Sequence, residues 1–330
     1  MGARRTTFLL CAVLGITALL GLLWGSSDLT ASQAWHALLE GPDGRGLACH
    51  VVWNIRMPRL LVVALTGAAL SASGAALQAL FRNPLADPSL LGISSGASLA
   101  AVAWLTLRPE QAEWLPVAAF LGALGEVATV WTLAHFGGRP NLAVTLLTGV
   151  ALSSLCAALV GVALLLARAN DLSRLIFWLS GGAEARTWEH LLQELGPALL
   201  GIGMLWVLSR WLDALSLGEE HALSVGVPVN RARWLALGGA AMATGAAVSV
   251  CGPVGFVGLI VPHALRGWMH RSSARRLVPL SALGGGVFLV LCDTVARIYL
   301  PTEIQMGAIT SFLGVPFFLW LLLRSRRVGA

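Results

Sequence analysis

The sequence predicts an all-α, polytopic membrane protein with about ten transmembrane helices, and three observations carry that prediction. Hydrophobic residues make up 57% of the 330, and 37 glycines bring the apolar share to roughly 68%, against about 45–50% in soluble proteins. Charged residues are only 12%, and the mean hydropathy is +0.78. The apolar residues also gather into runs that approach the ~20 needed to cross a bilayer as a helix.

The first run, 8–24, follows a short basic N-terminus and has the outline of a signal peptide with cleavage near Ala34. It is too long for a typical signal core and further runs follow, so it is expected to be a retained first span. The second, 60–80, is opened by Pro58, which suits the first turn of a helix. Runs 90–107, 114–136, 142–166 and 191–211 come next. Run 232–265 is too long for one span and carries Gly252-Pro253 near its middle, where proline removes a helical hydrogen bond and glycine permits a turn. It therefore divides in two. Runs 277–296 and 304–323 complete ten, and residues 1–330 form a single transmembrane domain with a cytoplasmic loop at 213–228.

Arginine placement tests this parity, because basic loops stay in the cytoplasm. With ten spans and both termini inside, 14 arginines are cytoplasmic, Arg139 and Arg271 among them, and 8 are external. Counting acids, the inner side carries +10 and the outer −2, and intramembrane Glu126 and Asp293 bring the total to the net +6. Nine spans would put Arg266, Arg275 and Arg276, or Arg324, Arg326 and Arg327, on the wrong side.

Composition excludes several chemistries. All 22 basic residues are arginine, so a Walker A lysine, a Schiff-base lysine or a lysine base is impossible. The five cysteines show no C-x-x-C spacing and are expected to pack rather than bind metal. Gly92-Ile-Ser94-Ser-Gly96 matches G-x-S-x-G, but that elbow needs a strand-turn-helix, and here it opens a membrane helix. His263 stands without a metal-binding partner pattern and is expected to cap or pack. No catalytic residue, metal site, cofactor of the chain's own or nucleic-acid contact is expected. Glu126, inside the fourth run, has either a buried partner or a pore-facing position.

Small residues recur at helical steps: Gly67, Ser71 and Ala75, then Gly92 and Gly96, then Gly252, Gly255 and Gly258. Such faces let helices approach closely in lipid. A local echo between Thr66-Gly-Ala-Ala-Leu-Ser-Ala-Ser-Gly74 and Thr244-Gly-Ala-Ala-Val-Ser-Val-Cys-Gly252 hints at duplication.

Three polar segments remain. Arg56-Met57-Pro58-Arg59 places two arginines outside, against the positive-inside bias, either as snorkelling anchors or as a docking point for an acidic partner or ligand. Arg297 is a third external arginine, and Asp293 stands one helical turn earlier, able to hold it. In the loop 213–228, Ser216 and Glu219 have capping-box spacing. Leu217, Ala222, Leu223 and Val225 form an apolar ridge, and Gly226 is a helix stop. The acidic Glu219 and Glu220 favour a protein partner over anionic lipid. Arg82-Asn83-Pro84-Leu85-Ala86-Asp87-Pro88 is a cytoplasmic turn.

These motifs, with Gln78-Ala-Leu-Phe-Arg-Asn-Pro-Leu-Ala-Asp-Pro-Ser-Leu-Leu-Gly-Ile-Ser-Ser-Gly-Ala97, Leu217-Gly-Glu-Glu220, Gly252-Pro-Val-Gly-Phe-Val-Gly-Leu-Ile-Val-Pro-His263, Asp293-Thr-Val-Ala-Arg297 and Gly314-Val-Pro-Phe-Phe-Leu319, resemble the permeases of iron-siderophore, haem and cobalamin ABC importers, the type II class. The resemblance runs the length of the chain. It implies ten helices per subunit, a homodimer around one pathway, two ATP-binding cassette subunits inside that carry ATP and Mg, and one extracytoplasmic substrate-binding protein. It further implies that Leu217, Gly218, Glu219, Glu220, Ala222, Leu223 and Gly226 belong to a coupling helix seated on the ATPase. Arg56, Arg59 and Arg297 would dock the binding protein, Asn83, Leu85, Leu142 and Ala143 would lie at the cytoplasmic gate, and the fifth span would line much of the pathway. A bacterial inner membrane is the implied location, with lipid as the remaining partner. Asn141-Leu142-Ala143 departs from the small hydroxyl residues common before the fifth span of such permeases, and Glu126 is not a feature of theirs. An ion-coupled secondary transporter is the alternative, with Glu126 and Asp293 as its candidate carboxylates.

Overall fold

The structure is a computed structural model that describes residues 3–25, 29–136, 142–269, 273–299 and 304–328. Each of the ten expected spans carries a helix. In chain order these are α1 (Ala3–Leu23), α2 (Met57–Leu80), α3 (Ile93–Leu107), α4 (Leu115–His135) and α5 (Leu142–Leu166). The second half holds α6 (Trp188–Val207), α7 (Val229–Cys251), α8 (Val257–Met269), α9 (Ala274–Tyr299) and α10 (Met306–Val328). No strand occurs among the described residues. Arg139, Asn141 and Arg271 lie outside them.

The segments containing α1, α2, α4, α5, α7 and α9 are each long and apolar enough to cross a bilayer alone. α6 joins the helix Ser209–Ser216 across a 51° bend to make a seventh. α3 and α8 are shorter, with 15 and 13 residues, about 20 Å of helix against a hydrocarbon core of ~30 Å. Irregular backbone precedes each of them: the 3-10 turn Pro88–Leu91 before α3 and the non-helical stretch 252–256 before α8. The expected division of the long run is therefore real, with α7 ending at Cys251 and Gly252 turning the chain at φ +71°.

Non-helical backbone is tolerated at membrane depth only where protein satisfies it. The Gly182 N–H donates to the Cys251 carbonyl at 2.8 Å, and the Gly307 N–H donates to the Gly181 carbonyl at 2.9 Å. The segment after Leu179, the break after α7 and the start of α10 thus hold one another's polar groups.

Burial separates the helices by role. In α2 and α7, 78% of the apolar window is buried, whereas in α5 the share is 11%. The core is therefore α2 and α7 with α9, whereas α5 buries only Thr145, Gly149 and Cys156. α2 and α9 form the most extensive helix pair. Gly67 faces the Gly285 carbonyl and Gly285 the Gly67 carbonyl, so a Cβ on either would run into the opposite backbone. This close approach is what the four-residue steps of small residues permit. The echoing stretches that begin at Thr66 and Thr244 both fall in these buried helices, where Ser73 Oγ donates to the Ala240 carbonyl at 3.4 Å. Their likeness matches a shared demand for small side chains.

Shorter helices lie outside the expected spans, Ala31–Glu40 and Ala169–Leu179 among them. The first is closed by Thr30 and Gln33 in a reciprocal capping box: the Gln33 N–H donates to Thr30 Oγ1 at 3.3 Å, and the Thr30 N–H donates to Gln33 Oε1 at 2.9 Å.

Candidate functional site

Residues of the expected site fall at opposite ends of the bundle. At one end the backbone tightens from a π-helical turn, Val51–Arg56, directly into α2. Arg56 and Arg59 are thereby carried to the ends of α1 and α9. Arg59 grips Asp293, with Nη2 at 2.7 Å and Nε at 3.1 Å from Oδ1. Asp293 Oδ2 lies 3.1 Å from Arg297 Nε, the i,i+4 pair expected from the sequence. Arg297 Nη2 also donates to the Gly21 carbonyl at 3.2 Å, and Arg56 Nη1 donates to the Leu22 carbonyl at 2.6 Å. Glu184 approaches Arg59 at 3.6 Å.

All three arginines are thus brought together, but turned inward: Arg56 is only 4% exposed. Their heads do not snorkel to an interface. Arg59 and Arg297 clamp α2 and α9 around the Asp293 carboxylate, and Arg56 and Arg297 tie them to backbone carbonyls of α1, a desolvated arrangement in which each charge depends on its partner.

At the other end, α2 gives way to the turn that contains Asn83 and Leu85. Asn83 Oδ1 accepts from the Leu85 N–H at 2.9 Å, and Asp87 caps the following turn by accepting from the Ser89 N–H at 2.9 Å. Burial pushes the Asp87 carboxyl above its ordinary value, with the bonds from Ser89 pulling the other way. Leu142 and Ala143 open α5. A cavity of about 280 Å³ joins this turn to the next segment, lined by Gln78, Arg82, Asn83, Asp213, Ser216 and Arg266. Gln78 ties the floor together, donating to the Gly258 carbonyl at 3.0 Å and accepting from Arg266.

The loop 213–228 holds a short helix, Glu219–Ser224. Its start corrects the expected capping box. Ser216 still belongs to the helix Ser209–Ser216 and donates to the Asp213 carbonyl at 2.6 Å. Gly218 turns the chain at φ +128° and caps the short helix without a side chain. Glu219, released from capping, pairs with Arg233 of α7 at 2.7 Å. Ala222 is buried against the body, while Leu217 is 72% exposed and Leu223 58%. Gly226, at φ +79°, stops the helix as expected. The outcome is an exposed apolar ridge on a base braced to α7.

The FecCD transport family model matches residues 13–324. The chain belongs to the FecCD transport family. Hemin transport system permease protein HmuU of Yersinia pestis is 39% identical over 92% of each chain. Cobalamin import system permease protein BtuC of Halobacterium salinarum is 43% identical over 85% of this chain and 75% of its own length. Fe(3+) dicitrate transport system permease protein FecD of Escherichia coli K12 is 38% identical over 88% of this chain and 91% of its own. A solved structure of a metal-chelate type ABC transporter in an inward-facing conformation aligns with a TM-score of 0.83 at 29% identity, covering 98% of this chain and 99% of that one.

Two carboxyls of this FecCD chain acquire their partners only in the fold. Glu126 of α4 proves to have buried partners: Ser95 Oγ of α3 donates to Oε1 at 3.1 Å, and Cys156 Sγ of α5 donates to Oε2 at 3.3 Å. A Cβ at Gly92 would collide with this carboxylate, and one added at Gly96 would sit 2.5 Å from it. The G-x-S-x-G pattern is therefore the socket of Glu126. The side chain also borders an apolar groove of about 300 Å³ between α3, α4 and α5. Glu194, counted among the external acids from sequence, is fully buried in α6, where Thr66 Oγ1 donates to its Oε1 at 2.8 Å. Its place inside the sixth apolar run was the available signal. His263 packs edge-on to Phe317, with ring centroids 5.9 Å apart.

Proposed function

We propose that this chain is the membrane-spanning subunit of an ATP-driven importer that carries a metal chelate, whether iron-siderophore, haem or cobalamin, from an extracytoplasmic binding protein to the cytoplasm by alternating access. The observation that carries the proposal is the braced ridge of Leu217 and Leu223 at the end of the bundle opposite the Arg59–Asp293 clamp. A chain without lysine has no P-loop of its own, so the motion must enter from a partner, and an exposed apolar ridge on a rigid base is a suitable input. ATP and Mg would sit on two ATP-binding cassette subunits. Their closure would push the segment 217–226, and Glu219–Arg233 would pass that displacement to α7.

A second copy of the chain would complete the pathway. α5 leaves much of its apolar surface uncovered, which supports its lying against that copy along the route, with Asn83, Leu85, Leu142 and Ala143 at the cytoplasmic mouth. Arg56, Arg59 and Arg297 would meet acidic residues on the binding protein. Because all three are engaged within the chain, docking would draw first on Arg59, the most exposed side chain of the three. Both termini would be cytoplasmic, in an inner membrane.

The groove beside Glu126 is the one observation that favours an ion-coupled transporter instead. Asp293 offers that alternative little, being neutralised by two arginines.

Co-expression with a partner ATPase and binding protein from the same genome tests the assembly. The expected particle, by native mass, holds two copies of this chain, two ATPases and one binding protein. A chain that purifies as a monomer and retains neither partner would contradict the proposal.

A further inference from the structure

The first turn of α9 sets Arg275 and Arg276 at the mouth of a cavity of about 730 Å³ that belongs to neither the clamp nor the coupling segment. α6 contributes Trp206 to its rim, and α1 contributes Thr7. Beyond the arginines the wall is apolar, formed by Pro279, Leu280 and Leu283. These three follow Arg276 at steps of three, four and seven, so all four share one face of α9. At about 1.5 Å per residue this face runs roughly 10 Å from cation to leucine along the helix axis. Trp206 at the rim is half exposed, a setting that suits an indole ring at the headgroup level of a bilayer.

Neither Arg275 nor Arg276 pairs with a carboxylate among the described residues. The first turn of this 26-residue helix contains no acid, so two cations there oppose the helix dipole. Asp213 accepts from the Ala274 N–H, but it lines the separate cavity on the gate side. An anion at the mouth would relieve both conflicts, and the wall below it has the depth and chemistry of an acyl-chain groove.

We propose that this cavity binds one anionic glycerophospholipid, its phosphate held by Arg275 and Arg276 and one acyl chain laid along Pro279, Leu280 and Leu283. The apolar wall selects a lipid over a free phosphate. Assignment to the cytoplasmic leaflet rests on the orientation proposed above, since Asp213 ties the start of α9 to the coupling segment. A lipid seated there would bridge α1, α6 and α9 beside the element that receives motion from the ATPase.

The test is native mass spectrometry of the detergent-purified chain offered phosphatidylglycerol and phosphatidylcholine with matched acyl chains. Phosphatidylglycerol should be retained with about tenfold preference. The double variant Arg275→Gln/Arg276→Gln, at exposed positions where folding is not at risk, should lose that preference. Arg168→Gln, beyond the other end of α5, should keep it. Equal retention of the two lipids, or a double variant that binds as the parent does, overturns the proposal. Displacement of phosphatidylglycerol by millimolar inorganic phosphate overturns it in favour of a free-anion site. Labelling of Ser273→Cys from one face of sealed vesicles reports the leaflet separately. A preserved preference with labelling from the exterior would keep the lipid site and remove the proposed orientation.

Discussion

Arg59 and Asp293 lie 234 positions apart in the chain and meet at 2.7 Å. The same carboxylate takes Arg297 at 3.1 Å, so one acid at the end of α9 neutralises two arginines from different helices. A mostly buried charge of this kind is costly to leave alone and is conditionally stable.

Removing the acid should therefore cost more than removing one base. Asp293→Ala strands Arg59 and Arg297 in a buried setting and is expected to destabilise the chain by about 3 kcal/mol. Arg297→Gln leaves Arg59–Asp293 intact and should cost about 1 kcal/mol. Unfolding midpoints in detergent check the order, and equal losses would show that the clamp is not shared.

Much of this fold was legible in the sequence, because helix length in lipid is set by bilayer thickness and apolar runs report it directly. All ten helices fall where those runs stand, including the break at Gly252. A short helix ending before Gly226 was expected, but Ala169–Leu179 escaped notice for a physical reason: it is amphipathic and carries too little apolar sequence to register. The i,i+4 pair Asp293–Arg297 could be read from spacing alone. Arg59–Asp293 could not, since only tertiary packing brings the start of α2 to the end of α9. The capping of the segment after Ser216 was misplaced because glycine at φ +128° can end one helix and begin another without any side-chain signal.

Glu219 and Arg233 should act as a transmission strut. Either Glu219→Ala or Arg233→Ala is expected to leave ATPase binding in place while lowering transport per ATP hydrolysed. The swap Glu219→Arg/Arg233→Glu should recover part of that ratio. With Glu219 half exposed, the coupling energy from a double-mutant cycle is expected to be about 1 kcal/mol.

Leu217 and Leu223 are exposed enough that polar replacement should not disturb the fold. Leu223→Glu is expected to change stability by less than about 0.5 kcal/mol. It should weaken ATPase association by about 2 kcal/mol, as loss of an apolar anchor does. Pull-down of the ATPase beside a thermal melt separates the two effects, and a lower melting point with unchanged association would remove the ridge from the interface.

Glu126 is expected to fasten helices rather than carry ions. Glu126→Gln can keep hydrogen bonds to Ser95 and Cys156 and should retain most transport. Gly96→Val, which drives a side chain into the socket, should destabilise by about 2 kcal/mol. Loss of transport in Glu126→Gln with stability unchanged would instead assign the carboxylate a role in ion coupling.

The most direct test is uptake into proteoliposomes that hold this chain with a partner ATPase and binding protein, offering haem, a ferric siderophore and cobalamin in turn. One ligand should accumulate only when ATP is supplied on the side that presents Leu217 and Leu223, and an imposed proton gradient should make no difference. Accumulation that follows the proton gradient and ignores ATP would contradict the account and make Glu126 the centre of the mechanism.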